Sequence, residues 1–77
     1  MPTILRVGAY RFFFFSNEGH EPRHVHVESD ERYAKFWLGP VRLVNSFGYN
    51  AKELRTLREI VEENAALFGR KWDEFFS

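Results

Sequence analysis

Seventy-seven residues make one domain, residues 1–77, near the lower end of what buries a core unaided. Eleven Lys/Arg cancel eleven Asp/Glu, and each half of the chain is close to neutral, so the basic excess of a strong nonspecific nucleic-acid binder is absent. With no cysteine, disulfides and thiolate zinc sites are excluded.

Met1-Pro2-Thr3 does not begin a signal peptide, and no apolar run approaches the roughly 18 residues of a membrane span. A soluble cytoplasmic protein is expected. Thr3 to Val7 reads as a first strand, and Gly8-Ala9 has the form of a two-residue hairpin turn. Tyr10 to Ser16 is the antiparallel return. Alternation puts Phe12 and Phe14 on one side and Phe13 and Phe15 on the other, as in a strand covered on both faces. Asn17 to Pro22 is a loop, and Arg23 to Glu28 a third strand. After a turn at Ser29-Asp30-Glu31, Arg32 to Leu38 is a fourth, with Ala34, Phe36 and Leu38 on one face and Tyr33, Lys35 and Trp37 on the other. Gly39-Pro40 breaks it, and Val41 to Asn45 makes a short fifth.

Period two then gives way to period 3.6. Asn50 and Glu53 form a capping-box-like start, and Leu54, Leu57, Val61, Ala65 and Phe68 line one helical stripe. Gly69 is expected to end or kink this helix, and Trp72, Phe75 and Phe76 form a last apolar face on a short terminal helix. The expected fold class is α+β: a small antiparallel meander of four to five strands packed against a C-terminal helix.

All three histidines fall within His20-Glu21-Pro22-Arg23-His24-Val25-His26. Along the third strand His24, His26 and Glu28 share a face, and Val25 and Val27 take the other. The helix covers one face, assigned to Ala34, Phe36 and Leu38. The opposite face, expected to be bare, then carries His24, His26, Tyr33, Lys35 and Trp37, with Arg11, Phe13 and Phe15 as further candidates. A one-residue slip in register would reverse the assignment.

Three chemistries fit such a face, beside the plain one in which these are ordinary residues of a half-exposed strand. Paired imidazoles serve as general acid and base near neutral pH, so His24 and His26 are the candidate catalytic residues for phosphodiester cleavage. Arg23 and Lys35 would hold phosphate, and Tyr33 or Trp37 would stack a base. Alternatively, His20, His24, His26 and Glu28 offer ligands to a divalent metal, since histidines two apart on a strand lie about 6.6 Å apart along the backbone. No other cofactor is expected. A third reading is an interaction module, because aromatic anchors and sheet edges both recruit protein partners. Glu21 reads as a solvated loop carboxylate.

Pro2-Thr3-Ile4, Tyr10 to Phe15, Glu21-Pro22-Arg23-His24-Val25-His26-Val27, Ala34-Lys35-Phe36-Trp37 and Lys71-Trp72-Asp73-Glu74-Phe75-Phe76 together resemble the bacterial family called domain of unknown function 4160. The resemblance runs from end to end. Relatives commonly have a second proline at Arg23, which makes Arg23 a weaker candidate for a shared role than His24 or His26. The family implies no settled activity. Its members are often encoded beside a small protein of domain of unknown function 2442, and the pair looks like a toxin–antitoxin module. The resemblance thus implies a cognate protein partner and fits either a ribonuclease-like toxin acting on RNA or a regulator. The preferred expectation is the toxin-like component, acting on RNA through the His cluster. The alternative is a non-enzymatic protein-binding domain whose histidines are structural or hold a metal. No membrane partner is expected, and homo-oligomerisation stays open.

Overall fold

The switch of period at Asn50 divides the molecule into a sheet and a helical layer. The computed structural model describes residues 3–15 and 19–76. It contains β1 (Thr3–Val7), β2 (Tyr10–Phe13), β3 (His24–Ser29), β4 (Arg32–Leu38), β5 (Val41–Phe47), α1 (Ala51–Glu63) and α2 (Ala65–Phe76). This is the expected α+β fold. Neither helix is long and apolar enough to cross a membrane.

The strands form one antiparallel sheet in the order β1-β2-β3-β4-β5, each paired with its neighbours in sequence. The turns explain the meander. Gly8 (φ 59°) sits between β1 and β2, and Asp30 (φ 53°), a residue type that tolerates the left-handed region, sits between β3 and β4. Register at the centre is unbroken: Val25 faces Phe36 and Val27 faces Ala34, while His24 faces Trp37, His26 faces Lys35 and Glu28 faces Tyr33. Directly opposed residues share a face, so the expected division of side chains between the two faces holds.

β3 is shifted by one residue at each end, His24–Ser29 against the expected Arg23 to Glu28, and two further strand ends differ more. β2 stops at Phe13, opposite His26. Beyond it Phe14 packs into the helical layer and Phe15 against His26. Ser16, expected to end this strand, and Asn17 and Glu18 of the following loop lie outside the described residues. β5 runs past Asn45 to Phe47, because no chain-reversing residue precedes Gly48 (φ 88°). It shifts register between Lys35 and Phe36 of β4, which leaves Val44 as the extra residue of a bulge.

The capping box at the start of α1 is present. Asn50 Oδ1 accepts from the Glu53 N–H at 2.8 Å, and Glu53 Oε1 accepts from the Asn50 N–H at 3.1 Å. The break that was expected at Gly69 falls instead at Asn64, and Gly69 lies inside α2. Asn64 (φ −112°, ψ 14°) donates from Nδ2 to the Ile60 carbonyl at 2.9 Å. The Asn64 N–H bonds the same carbonyl at 3.1 Å, so the break lies in the non-helical backbone angles of Asn64, which its local side-chain bond accompanies, whereas a glycine in a helix interior weakens the helix without ending it. The terminal helix is consequently twelve residues long rather than short.

Leu57 and Val61 of α1 with Phe68 and Trp72 of α2 close over Phe12, Phe14, Val25, Val27, Ala34, Phe36 and Leu38. Phe12 and Phe68 stack with centroids 5.5 Å apart. Each large side chain removed from water here contributes roughly 2–3 kcal/mol.

Candidate functional site

β3 is a central strand, so both its faces meet neighbours, and the alternation that aims Val25 and Val27 at the helices aims His24 and His26 at the other side. The two imidazole rings do project together. Their centroids are 5.0 Å apart and their planes nearly perpendicular, at 89°.

The face is not bare, however. His24 is 0% and His26 2% exposed. Phe13 stacks on His26 at 5.5 Å, Phe15 meets it edge-on at 4.5 Å, and Tyr33 lies parallel at 5.8 Å. Trp37 stands edge-on to His24 at 5.6 Å, and Trp72 comes within 4.9 Å of the same ring. The expectation of imidazoles on an uncovered sheet face is overturned by this second aromatic layer. Its physical cause is the Phe run: with Phe12 and Phe14 committed to the helical core, Phe13 and Phe15 must bury elsewhere, and the histidine rings are the surface available. Trp72 was read only as part of a terminal apolar face. It touches both Phe14 and His24, filling the place beside His24 where β2 has already ended.

The rings are also hydrogen-bonded. His24 Nδ1 lies 2.9 Å from the Pro22 carbonyl oxygen, which only accepts, so Nδ1 carries a proton. His26 Nδ1 and the Tyr33 hydroxyl share a bond of 2.8 Å. No buried side-chain nitrogen or oxygen among the described residues lacks a partner.

The cations meant to hold phosphate are separated. Lys35 stays on the histidine face, where its Nζ bonds Glu21 Oε1 at 3.1 Å and sits 4.9 Å from the centroid of Trp37. Glu21 is thus an ion-pair partner, not the solvated carboxylate expected. Arg23 accepts the Leu38 N–H at its carbonyl, which places it opposite Leu38 and on the helical side. There its guanidinium grips Asp73 of α2 with three hydrogen bonds of 2.6 to 3.1 Å. Of the residues proposed for phosphate and base, Tyr33, Lys35 and Trp37 adjoin the histidines and Arg23 does not.

The proposed metal ligands are likewise dispersed. Glu28 binds Arg11 at 2.6 Å, and His20 is an exposed loop residue. Among the described residues, no three His, Asp or Glu side chains are grouped to hold an ion. A second buried polar pair was not foreseen: Ser29 Oγ and the Tyr49 hydroxyl lie 2.9 Å apart. Burial pushes the Tyr49 phenol above its usual value, against the opposing effects of Ser29 and Arg32. Chemically, the two imidazoles and Phe13 are buried at the centre of this face, and the half-buried rings of Phe15, Tyr33 and Trp37 surround them.

The chain matches no curated protein and no solved structure. A family model does match, over residues 9–73, a span that takes in the Phe run, both buried histidines, Trp37 and Trp72. The chain therefore belongs to the family described as domain of unknown function (DUF4160).

Proposed function

We propose that the chain is a non-enzymatic protein-binding domain, the partner-binding member of a two-protein module, in which His24 and His26 are structural. The observation that carries this reading is the burial of both rings. A general acid or base must come within hydrogen-bond reach of its substrate, and here the surrounding rings take those positions. The surface that supports partner binding is β5. It is a sheet edge, six of its seven residues are exposed, and it presents Leu43, Val44 and Phe47 at 39%, 37% and 71% exposure. Such an edge accepts a partner's strand through main-chain hydrogen bonds, with the side chains supplying selectivity. The occupant is a cognate small protein encoded nearby, of the domain of unknown function 2442 type.

Titration calorimetry with that protein, purified separately, tests the reading. Binding is expected to weaken at least about tenfold in Val44→Lys and Phe47→Lys, a loss of roughly 1.4 kcal/mol, without a change in melting temperature. Indifference to the partner, or binding that survives both substitutions, defeats it. A second reading, a toxin acting on RNA at the histidines, is favoured by one observation: Tyr33, Lys35 and Trp37 share their face. It requires growth arrest on expression that His24→Gln or His26→Gln abolishes in a folded protein. Arrest that persists in both variants removes it.

A further inference from the structure

A groove of about 500 Å³ opens at one end of the sheet, where the Gly39-Pro40 turn, the Pro22-Arg23 segment and α2 meet. Ligand pockets commonly span about 300–1,000 Å³. It is lined by Trp37, two prolines (Pro22 and Pro40) and two arginines (Arg23 and Arg42), among others. Arg42 lies opposite Trp37 in the β4–β5 register, is exposed, and makes no ion pair among the described residues. The charge of Arg23 is offset by Asp73. The groove therefore offers close to one net positive charge beside an indole and an apolar proline rim.

Gly69 supplies an independent indication. Glycine is among the poorest residues for a helix interior, yet this one lies in the middle of α2 and on the groove wall. The fold does not require it. A Cβ at this position meets nothing closer than Arg23 Nη1, at 3.9 Å, and the backbone is helical. A side chain here would extend beside Arg23, another residue of the groove lining.

We propose that this groove binds a small flat ligand bearing one phosphate, of the nucleoside monophosphate class, with the phosphate on Arg42 and the ring against Trp37. The guanidinium fork matches phosphate oxygens with two parallel hydrogen bonds. Indole faces stack on bases without regard to their sequence. Lys35 and Arg23, the two cations expected to hold phosphate, are engaged by Glu21 and Asp73, so the phosphate falls to Arg42. Arg42 belongs to β5, so the groove adjoins the proposed partner edge, and the titration below is made on the chain alone.

The test is an NMR titration of the ¹⁵N-labelled protein with adenosine monophosphate, run beside adenosine and inorganic phosphate. Saturable shifts are expected at the Arg42 and Gly69 amides and the Trp37 indole, with the monophosphate binding at least about tenfold tighter than either half-ligand. Arg42→Ala is expected to weaken it about tenfold, a difference that corresponds to the strength of a charge-assisted hydrogen bond. Gly69→Leu, a change that favours the helix, is expected to abolish binding in a protein at least as stable as the parent. Asp73→Asn, which relieves the charge on Arg23, is expected to tighten it. A 5′-phosphorylated trinucleotide separates a free nucleotide from the end of a strand: equal affinity assigns the former and tighter affinity the latter, and either upholds the site. Monophosphate binding no tighter than phosphate, or undiminished in both Arg42→Ala and Gly69→Leu, overturns it.

Discussion

β3 and β5 are strands of one meander and meet solvent in opposite ways. Five of the six residues of β3 are buried, including both histidines, whereas six of the seven in β5 are exposed, including Leu43, Val44 and Phe47. Polarity of the residues would rank the two strands the other way. Position decides instead. β3 has a neighbour on each side, the helices beneath and an aromatic layer above, while β5 has one neighbour and a bulge. In a sheet this small, the central strand recruits covering side chains from four different segments, and the edge keeps its apolar residues available. The imidazoles that alternation singles out at the centre are buried, and the apolar residues of the edge strand are surface.

The sharpest way to break this comparison is to remove an imidazole. His26→Ala deletes a ring packed between Phe13, Phe15 and Tyr33 and leaves the Tyr33 hydroxyl without that hydrogen bond. The lost packing and the lost hydrogen bond together are expected to cost about 3 kcal/mol or more in urea unfolding. A loss below about 1 kcal/mol would mean that the ring is not part of the core, and the contrast with β5 would vanish. His26→Phe is the companion variant. It keeps the ring and loses the bond to Tyr33, so it is expected to fall between Ala and the parent.

Much of this was legible in the residues themselves. Strict alternation in His24-Val25-His26-Val27 and in Tyr33 to Leu38 fixed which side chains share a face, because a pleated strand leaves no other arrangement once the register is set. The capping box announced α1 at the right residue. The covering of the histidines was harder to see. Alternation states which face a side chain takes and is silent about what lies over it, and here the cover comes from residues distant in sequence: Phe13 and Phe15 from the second strand and its extension, and Trp72 from the last helix. The helix break is not legible because Gly69 is the stronger breaker by type, while Asn64 leaves helical geometry in the backbone and makes a side-chain bond to Ile60 that only the folded chain shows. Arg42 carried no signal in a short apolar strand, and its role as a groove residue follows from the turn that brings Pro40 and α2 beside it.

Two substitutions of intermediate effect probe the junction between the regions, where β5 hands over to α1. Gly48 has φ 88°, and an added Cβ would stand 2.5 Å from Arg32 Cγ. Gly48→Ala is expected to cost about 2 kcal/mol, chiefly from the backbone conformation, since the Arg32 side chain yields more readily than a main-chain atom would. Tyr49→Phe leaves the ring in place and removes the hydroxyl bonded to Ser29, for about 1 kcal/mol. The same phenol sets a pH dependence. Its pKa is raised in the folded state above the usual 10.0 by burial. Below pH 10 both states hold the proton and the full stability is present. Above it the unfolded state ionises first, so stability falls as pH rises through the folded value. Unfolding midpoints followed from pH 9 to about 11.5 are expected to decline less steeply in Tyr49→Phe than in the parent, and equal slopes would remove Tyr49 from the account.

The smallest effect on stability belongs to the residue with the most exposed apolar surface. Phe47 is 71% exposed on the histidine side of the sheet, opposite Tyr33. Because most of its ring is already in water in the folded state, truncation removes little that folding had gained, and Phe47→Ala is expected to stay within about 0.5 kcal/mol of the parent. A core phenylalanine such as Phe36, at 0% exposure on the helical face of β4, is expected to cost about 3–5 kcal/mol when truncated in the same way. The ratio between these two truncations, measured in one denaturant series, converts the comparison of centre and edge into a single number. If Phe47→Ala approached the cost of Phe36→Ala, the β5 residues would be buried in the working state of the protein, as they would be in a stable assembly, and repeating the series over a range of protein concentrations would reveal that assembly as a concentration-dependent midpoint.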